Sequence, residues 1–85
     1  MVWIPSYFQN ITGGTDRVEV PGKNVRQVID NLEALYPGLK ELILEDGNIS
    51  PGISVFVDGE LGYMELVEPV KEESEVHFLP AISGG

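Results

Sequence analysis

The chain contains no cysteine, which removes disulfides, thiolate-held metals and cysteine nucleophiles from consideration. Basic residues are scarce: five Lys and Arg stand against fourteen Asp and Glu, for a net charge of −9. Nucleic acids and anionic membrane surfaces are held by clustered Lys and Arg, so this balance argues against both as partners. It suits steering toward a basic protein surface, and equally suits plain solubility. His77 is the one histidine; with no second imidazole and no orienting group evident, a catalytic or metal-bound role has little to build on. No apolar run approaches the ~20 residues of a membrane span. The start, Met1-Val2-Trp3-Ile4-Pro5, lacks the pattern of a signal peptide, so a soluble cytoplasmic protein is expected. The sequence has no internal repeat, no low-complexity stretch and no linker.

What is present is enough for one small domain spanning residues 1–85. A chain of 85 residues buries roughly 60–65% of its unfolded surface. At 42% hydrophobic with clear periodicity, it reads as a folded globule and not as a disordered acidic segment. Val2 to Ile4 read as a short strand with Trp3 on the opposite face, cut off by Pro5. Tyr7, Phe8 and Ile11 add apolar contacts ahead of Thr12-Gly13-Gly14-Thr15, which reads as a hairpin turn; neither phosphate-loop glycine pattern is present. Arg17 to Val20 alternate as a second strand with both valines inward.

The clearest element is a helix after Pro21-Gly22. Asn24 is its candidate N-cap, with Gln27 three residues on. Val25, Val28, Ile29, Leu32 and Leu35 form the apolar stripe, and Pro37-Gly38 ends it. Leu39, Leu42 and Ile43 offer one further helical turn, followed by loops at Asp46-Gly47-Asn48 and Pro51-Gly52. Ile53 to Val57 form a third strand, and Asp58-Gly59 a two-residue hairpin turn into a short edge strand at Glu60-Leu61. Residues 62–69 are irregular, with Leu66, Val67 and Val70 available for packing. Lys71 to Ser74 make a charged turn into the last strand, where Val76 and Phe78 share one face and His77 and Leu79 the other. Glu65, Glu68, Glu72, Glu73 and Glu75 have no ligand-loop spacing and read as a solvated acidic rim. One helix across a mixed sheet of four to five strands is an α+β roll.

The chain closes with Pro80-Ala81-Ile82-Ser83-Gly84-Gly85. Pro80 has no amide hydrogen and is expected to end the ladder, leaving residues 80–85 as a flexible tail. Terminal glycines read either as a frayed end or as a bare thread that can enter a narrow channel carboxylate first.

This order of elements resembles the ubiquitin-like β-grasp proteins, in particular sulfur carriers of the MoaD/ThiS family. The residues that carry the resemblance are Ile4-Pro5 with Thr12-Gly13-Gly14, the run from Val28 to Pro37-Gly38, the hairpin Phe56-Val57-Asp58-Gly59-Glu60, and Glu75-Val76 through Leu79-Pro80-Ala81-Ile82-Ser83-Gly84-Gly85. The pattern looks most like stand-alone carriers that feed cysteine synthesis, and next most like the small subunit of molybdopterin synthase. One departure is the turn before the last strand, Glu73-Ser74, where the family usually carries Gly-Asp. The tail also lacks the basic stretch of ubiquitin, which weighs against a protein-modifier role without removing it.

The resemblance implies that the chain is no enzyme and binds no cofactor or metal. An E1-like adenylating enzyme would use ATP to join Gly85 to AMP, and a sulfur donor would then convert the acyl group to a thiocarboxylate. A sulfur-accepting synthase, of the cysteine synthase or molybdopterin synthase large-subunit type, would receive the sulfur from a free monomeric carrier. Gly85 bears the cargo, Gly84 must be small to clear the channel, and Pro80 and Ile82 set the tail's exit. Phe56, His77 and Leu79 are the candidate docking residues beside it. Phe56 and Leu79 read equally well as packing on the second face of the sheet.

Overall fold

The computed structural model describes residues 1–80. Gly84 and Gly85, which carry the reactive-end reading, and Ile82 lie outside the described residues. Five strands form one sheet: β1 (Val2–Trp3), β2 (Arg17–Val18), β5 (Ile53–Val57), β6 (Glu60–Leu61) and β7 (Val76–Pro80). Their spatial order is β2-β1-β7-β5-β6. The first and last strands are neighbours at the centre and run parallel, Val2 beside Val76 and Trp3 beside His77. The remaining pairs are antiparallel. This is the mixed five-stranded β-grasp sheet.

Helix α2 (Val25–Leu35), which follows the short α1 (Gln9–Thr12), covers one face of the sheet. Asn24 is its cap: the side-chain oxygen accepts from Gln27 N at 2.9 Å, while Gln27 Oε1 reaches back to Lys23 N at 2.9 Å. Val25 N donates to Glu68 O at 3.0 Å, so the helix start is supplied with partners from within the chain. Val25, Val28, Ile29 and Leu32 are buried against Val2, Ile4, Val18, Val55, Val76 and Phe78 of the sheet side. Burying each such side chain stabilises the fold by about 1.5–3 kcal/mol. Gly22 lets the chain pass close to the helix, since a Cβ there would lie 2.7 Å from Val28 Cγ2 and 2.9 Å from Val28 N.

The structure corrects several local expectations. Leu35 is exposed, because the stripe has left the sheet by the last turn of α2, and Val67 is exposed as well. Residues 6–12 are helical, a 3-10 turn (Ser6–Phe8) running into α1. Gly13 is therefore a left-handed helix cap at φ 67° and not the corner of a tight hairpin. Glu33 of α2 caps α3 (Leu39–Ile43) by accepting from Gly38 N at 3.0 Å and Lys40 N at 2.8 Å. Asp46-Gly47 is a complete hairpin turn between β3 (Leu44–Glu45) and β4 (Asn48–Ile49), with both residues at positive φ.

Pro80 does not interrupt β7; it is the last residue of the strand, opposite Ile53. Asp58 N donates to Glu75 O at 2.8 Å, and bonded and non-bonded pairs alternate along an antiparallel ladder. On that count Ile53 and Pro80 form a non-bonded pair, so the proline withholds nothing from β5. Its missing amide faces the line of β1, which has already ended at Trp3.

The turn before β7 is held by Asp58. Its carboxylate accepts from Glu75 N and from Ser74 Oγ, each at 2.9 Å, and Ser74 Oγ accepts from Lys71 N at 2.9 Å. Asp58 thus ties the β5–β6 turn to the entry of β7. The Glu75 amide first, and the Ser74 hydroxyl second, hold its carboxyl below the usual aspartate range.

Two outcomes follow for stability. Phe78→Ala empties the centre of the core and should cost about 3–5 kcal/mol in urea unfolding, whereas Asn24→Ala, which removes only a cap, should cost about 1 kcal/mol. Because the folded pKa of Asp58 is lowered, its contribution is complete above the unfolded value of about 3.9 and is lost as the pH falls through the folded value. Asp58→Asn keeps the left-handed turn residue. It should therefore lower Tm at neutral pH and flatten the fall in Tm on acidification below about pH 4.

Candidate functional site

In β7 the alternation is as expected: Val76 and Phe78 are buried, His77 is half-buried, and Leu79 and Pro80 are exposed. Cross-strand register then places His77 opposite Phe56 of β5, and Phe56 opposite Leu61 of β6. On the other side His77 neighbours Trp3 of β1, and Trp3 is opposite Arg17 of β2. The result is one row, Arg17–Trp3–His77–Phe56–Leu61, crossing all five strands on the face opposite α2. Leu79 stands one step along β7 from this row, opposite Ser54.

The row is ordered by contacts between its own members. The rings of Trp3 and His77 stack with centroids 5.5 Å apart and an interplanar angle of 10°. The Arg17 guanidinium carbon lies 5.3 Å from the Trp3 ring centroid, within reach of a cation–π attraction. β2 and β7 flank β1, so guanidinium and imidazole approach the indole from opposite sides. Trp3 Nε1 donates to Glu75 Oε1 at 3.0 Å, which fixes the ring's orientation. Arg17 also meets Asp16 at 3.8 Å, an exposed ion pair of little energetic weight.

Three of the expected docking residues, Phe56, His77 and Leu79, are therefore brought together, and Pro80 is at the same end of the sheet as Leu79. Ile82, Gly84 and Gly85 lie outside the described residues. The reading of the sequence did not place Trp3, Arg17, Leu61 and Glu75 in this group. Trp3 was visible as the outward residue of its strand, but its neighbour depends on a pairing between chain segments 72 residues apart, the separation of Trp3 from Glu75.

Among the described residues, no group of three or more His, Cys, Asp or Glu could hold a metal ion. No buried side-chain polar atom among them lacks a hydrogen-bond partner. A cavity of about 1080 Å³ lies toward the start of β7, away from Pro80. Its lining sets Arg17, Lys23 and Lys71 against Glu19, Glu72, Glu73 and Glu75, so it has no single sign with which to select a charged ligand. No described helix is long and apolar enough to cross a membrane. The row is a surface of stacked and paired side chains on the face opposite α2, with exposed Leu79 and Pro80 beyond it at the end of β7.

Comparison with known proteins agrees on a family. The chain matches the ThiS family over residues 2–85. It is 31% identical to the sulfur carrier protein CysO of Mycobacterium tuberculosis, covering 99% of this chain and 96% of that one. It is 34% identical over 71 residues to the molybdopterin synthase sulfur carrier subunit of Aspergillus niger, covering 84% of this chain and 75% of the relative. Its fold matches the crystal structure of the Amycolatopsis orientalis BexX/CysO complex with a TM-score of 0.90 at 31% identity, over 99% of this chain and 97% of the matched chain.

The row makes a specific optical prediction. Trp3 is the only tryptophan, and its indole is oriented by the Glu75 carboxylate. Glu75→Ala should shift Trp3 emission to longer wavelength and weaken its near-UV circular dichroism, with the far-UV spectrum unchanged.

Proposed function

The chain belongs to the ThiS family, and from that premise we propose that it is a sulfur carrier for biosynthesis, loaded at Gly85 as a thiocarboxylate. The observation that carries this reading is the agreement with two named sulfur carriers, over 99% of the chain for the one and 84% for the other. The contact row beside the C-terminal strand is the feature that such a role requires.

The chemistry explains why a protein would present a bare carboxyl end. A carboxylate resists nucleophilic attack because its oxygen leaves poorly. Attack of the carboxylate oxygen on the α-phosphorus of ATP gives an acyl-adenylate and releases pyrophosphate; hydrosulfide-level sulfur then attacks the acyl carbon and AMP departs. The product sulfur is ionised and strongly nucleophilic near neutral pH, as thiolates are. With no cysteine, this chain cannot supply the sulfur or move it on. It acts as co-substrate, while an E1-like adenylating enzyme and a sulfur-accepting synthase perform the catalysis. Gly84 and Gly85 let the thread enter a narrow active site, and Pro80 and Ile82 direct its exit. The row Trp3–His77–Phe56–Leu61 with Leu79 is the surface that the partner holds while the end is processed.

Incubation with the adenylating enzyme of the same organism, ATP and a sulfide donor tests the reading by intact mass. The expected result is the gain from replacing one oxygen by sulfur, confined to the C-terminal peptide and absent when Gly84 and Gly85 are deleted. An unchanged mass with demonstrably active enzyme would defeat the proposal. Phe56→Ser and Leu79→Asp should each reduce the loading rate about tenfold or more, as expected for anchors at an interface centre. The Leu79 change, on the exposed face, should alter stability by no more than about 0.5 kcal/mol.

A further inference from the structure

Half of the eight exposed large hydrophobic side chains among the described residues fall within one stretch, Leu61 to Val67. Tyr63 is 84% exposed, Val67 61% and Met64 57%, against 38% for Leu61 in the sheet row. Exposed apolar clusters of this kind mark contact sites more often than scattered single residues do.

The loop is built to hold them out. Gly62 N donates to Val55 O at 2.8 Å, Glu65 N to Gly62 O at 3.0 Å, and Glu68 N to Glu65 O at 3.1 Å. Leu66 packs against the core and anchors the loop from beneath. Glu65 adopts φ 52°, a left-handed conformation that a non-glycine residue takes only when its surroundings impose it. Between this loop and the start of β5 is a groove of about 280 Å³, lined by Ile49, Pro51, Ile53, Leu61 and Tyr63 with Glu65. Ile53 is the partner of Pro80 in the sheet, so the groove opens at the end where the described chain stops. Leu61 is the last member of the sheet row, which makes the two surfaces continuous.

Charge selects the occupant. Residues 41–70 contain Glu41, Glu45, Asp46, Asp58, Glu60, Glu65 and Glu68 and no Lys, Arg or His. A second copy seated through the same loop would bring like charge against like, whereas a pocket ringed by Lys and Arg would be attracted. We propose that the Leu61–Val67 loop and its groove form a second docking surface, which seats in an apolar pocket rimmed by basic residues on the adenylating enzyme. The identity of that enzyme rests on the function proposed above; the surface itself rests on exposure, rigidity and charge.

The test uses the intact chain and the purified adenylating enzyme of the same organism in isothermal titration calorimetry at low and high salt. Tyr63→Ser with Met64→Ser should weaken binding about tenfold or more while leaving the circular dichroism of the carrier unchanged. Wild-type affinity should fall as salt screens the acidic rim. Wild-type affinity in the double variant, alongside weakened binding of Leu79→Asp, would overturn the inference and leave the carrier reading intact. Concentration-dependent dimers of the wild type that the double variant abolishes would overturn it in favour of a second copy. No binding by the wild type at all would overturn both. Loop-dependent binding without any thiocarboxylate product would sustain the docking surface and remove the carrier reading.

Discussion

The pairing of the first strand with the last organises this molecule. β1 and β7 lie side by side at the centre of the sheet, parallel, with Val2 beside Val76 and Trp3 beside His77. Val76 N donates to Met1 O at 2.9 Å, and the inward side chains of both strands are almost wholly buried beneath α2. A parallel pair cannot be closed by a tight turn, so nearly all of the chain lies between the two strands as a crossover. The helix, the small β3–β4 hairpin and the 62–69 loop are all contained in that crossover. Because β7 is central, the described chain reaches Pro80 in the middle of the sheet, with Leu79 exposed beside it.

The same constraint explains the turn at Glu73-Ser74. The chain must enter a central strand at a fixed height, and something has to set that height. Here the setting group is Asp58, on the neighbouring β5–β6 turn, which holds Ser74 Oγ and Glu75 N together. Ser74 is buried with its hydroxyl fully engaged. A serine supported from the next turn therefore does the work in place of the usual Gly-Asp. This fixes the start of β7, and with it the positions of His77 and Leu79.

Charge and apolar surface are separated on the molecule in a way that suits a carrier. The sheet row carries one cation, Arg17, at one edge over Trp3; at the other edge is Leu61, followed along the chain by residues 62–70, whose only charged side chains are Glu65 and Glu68. Net charge of −9 on a chain of 85 residues opposes self-association while it favours basic partners.

The amino-acid sequence alone determined whatever depends on near neighbours. The α2 stripe and its Asn24 cap, the inward-outward alternation of β7, the Asp58-Gly59 turn and the order of elements all arise from periodicity and turn chemistry within a few residues. The Asp46-Gly47 hairpin carried the same local signal and could have been read in the same way. Only the tertiary structure decided what depends on register between distant segments. That Trp3 stacks on His77, that Arg17 lies over Trp3, and that Ser74 is held by Asp58 follow from strand pairings set by burial of the whole core. It also decided that Leu35, apolar and in phase with the α2 stripe, and Val67, apolar in an irregular stretch, remain outside. Local pattern states which face of an element is apolar; only the packed sheet, with finite width and a helix that runs past its edge, determines how much of that face is covered.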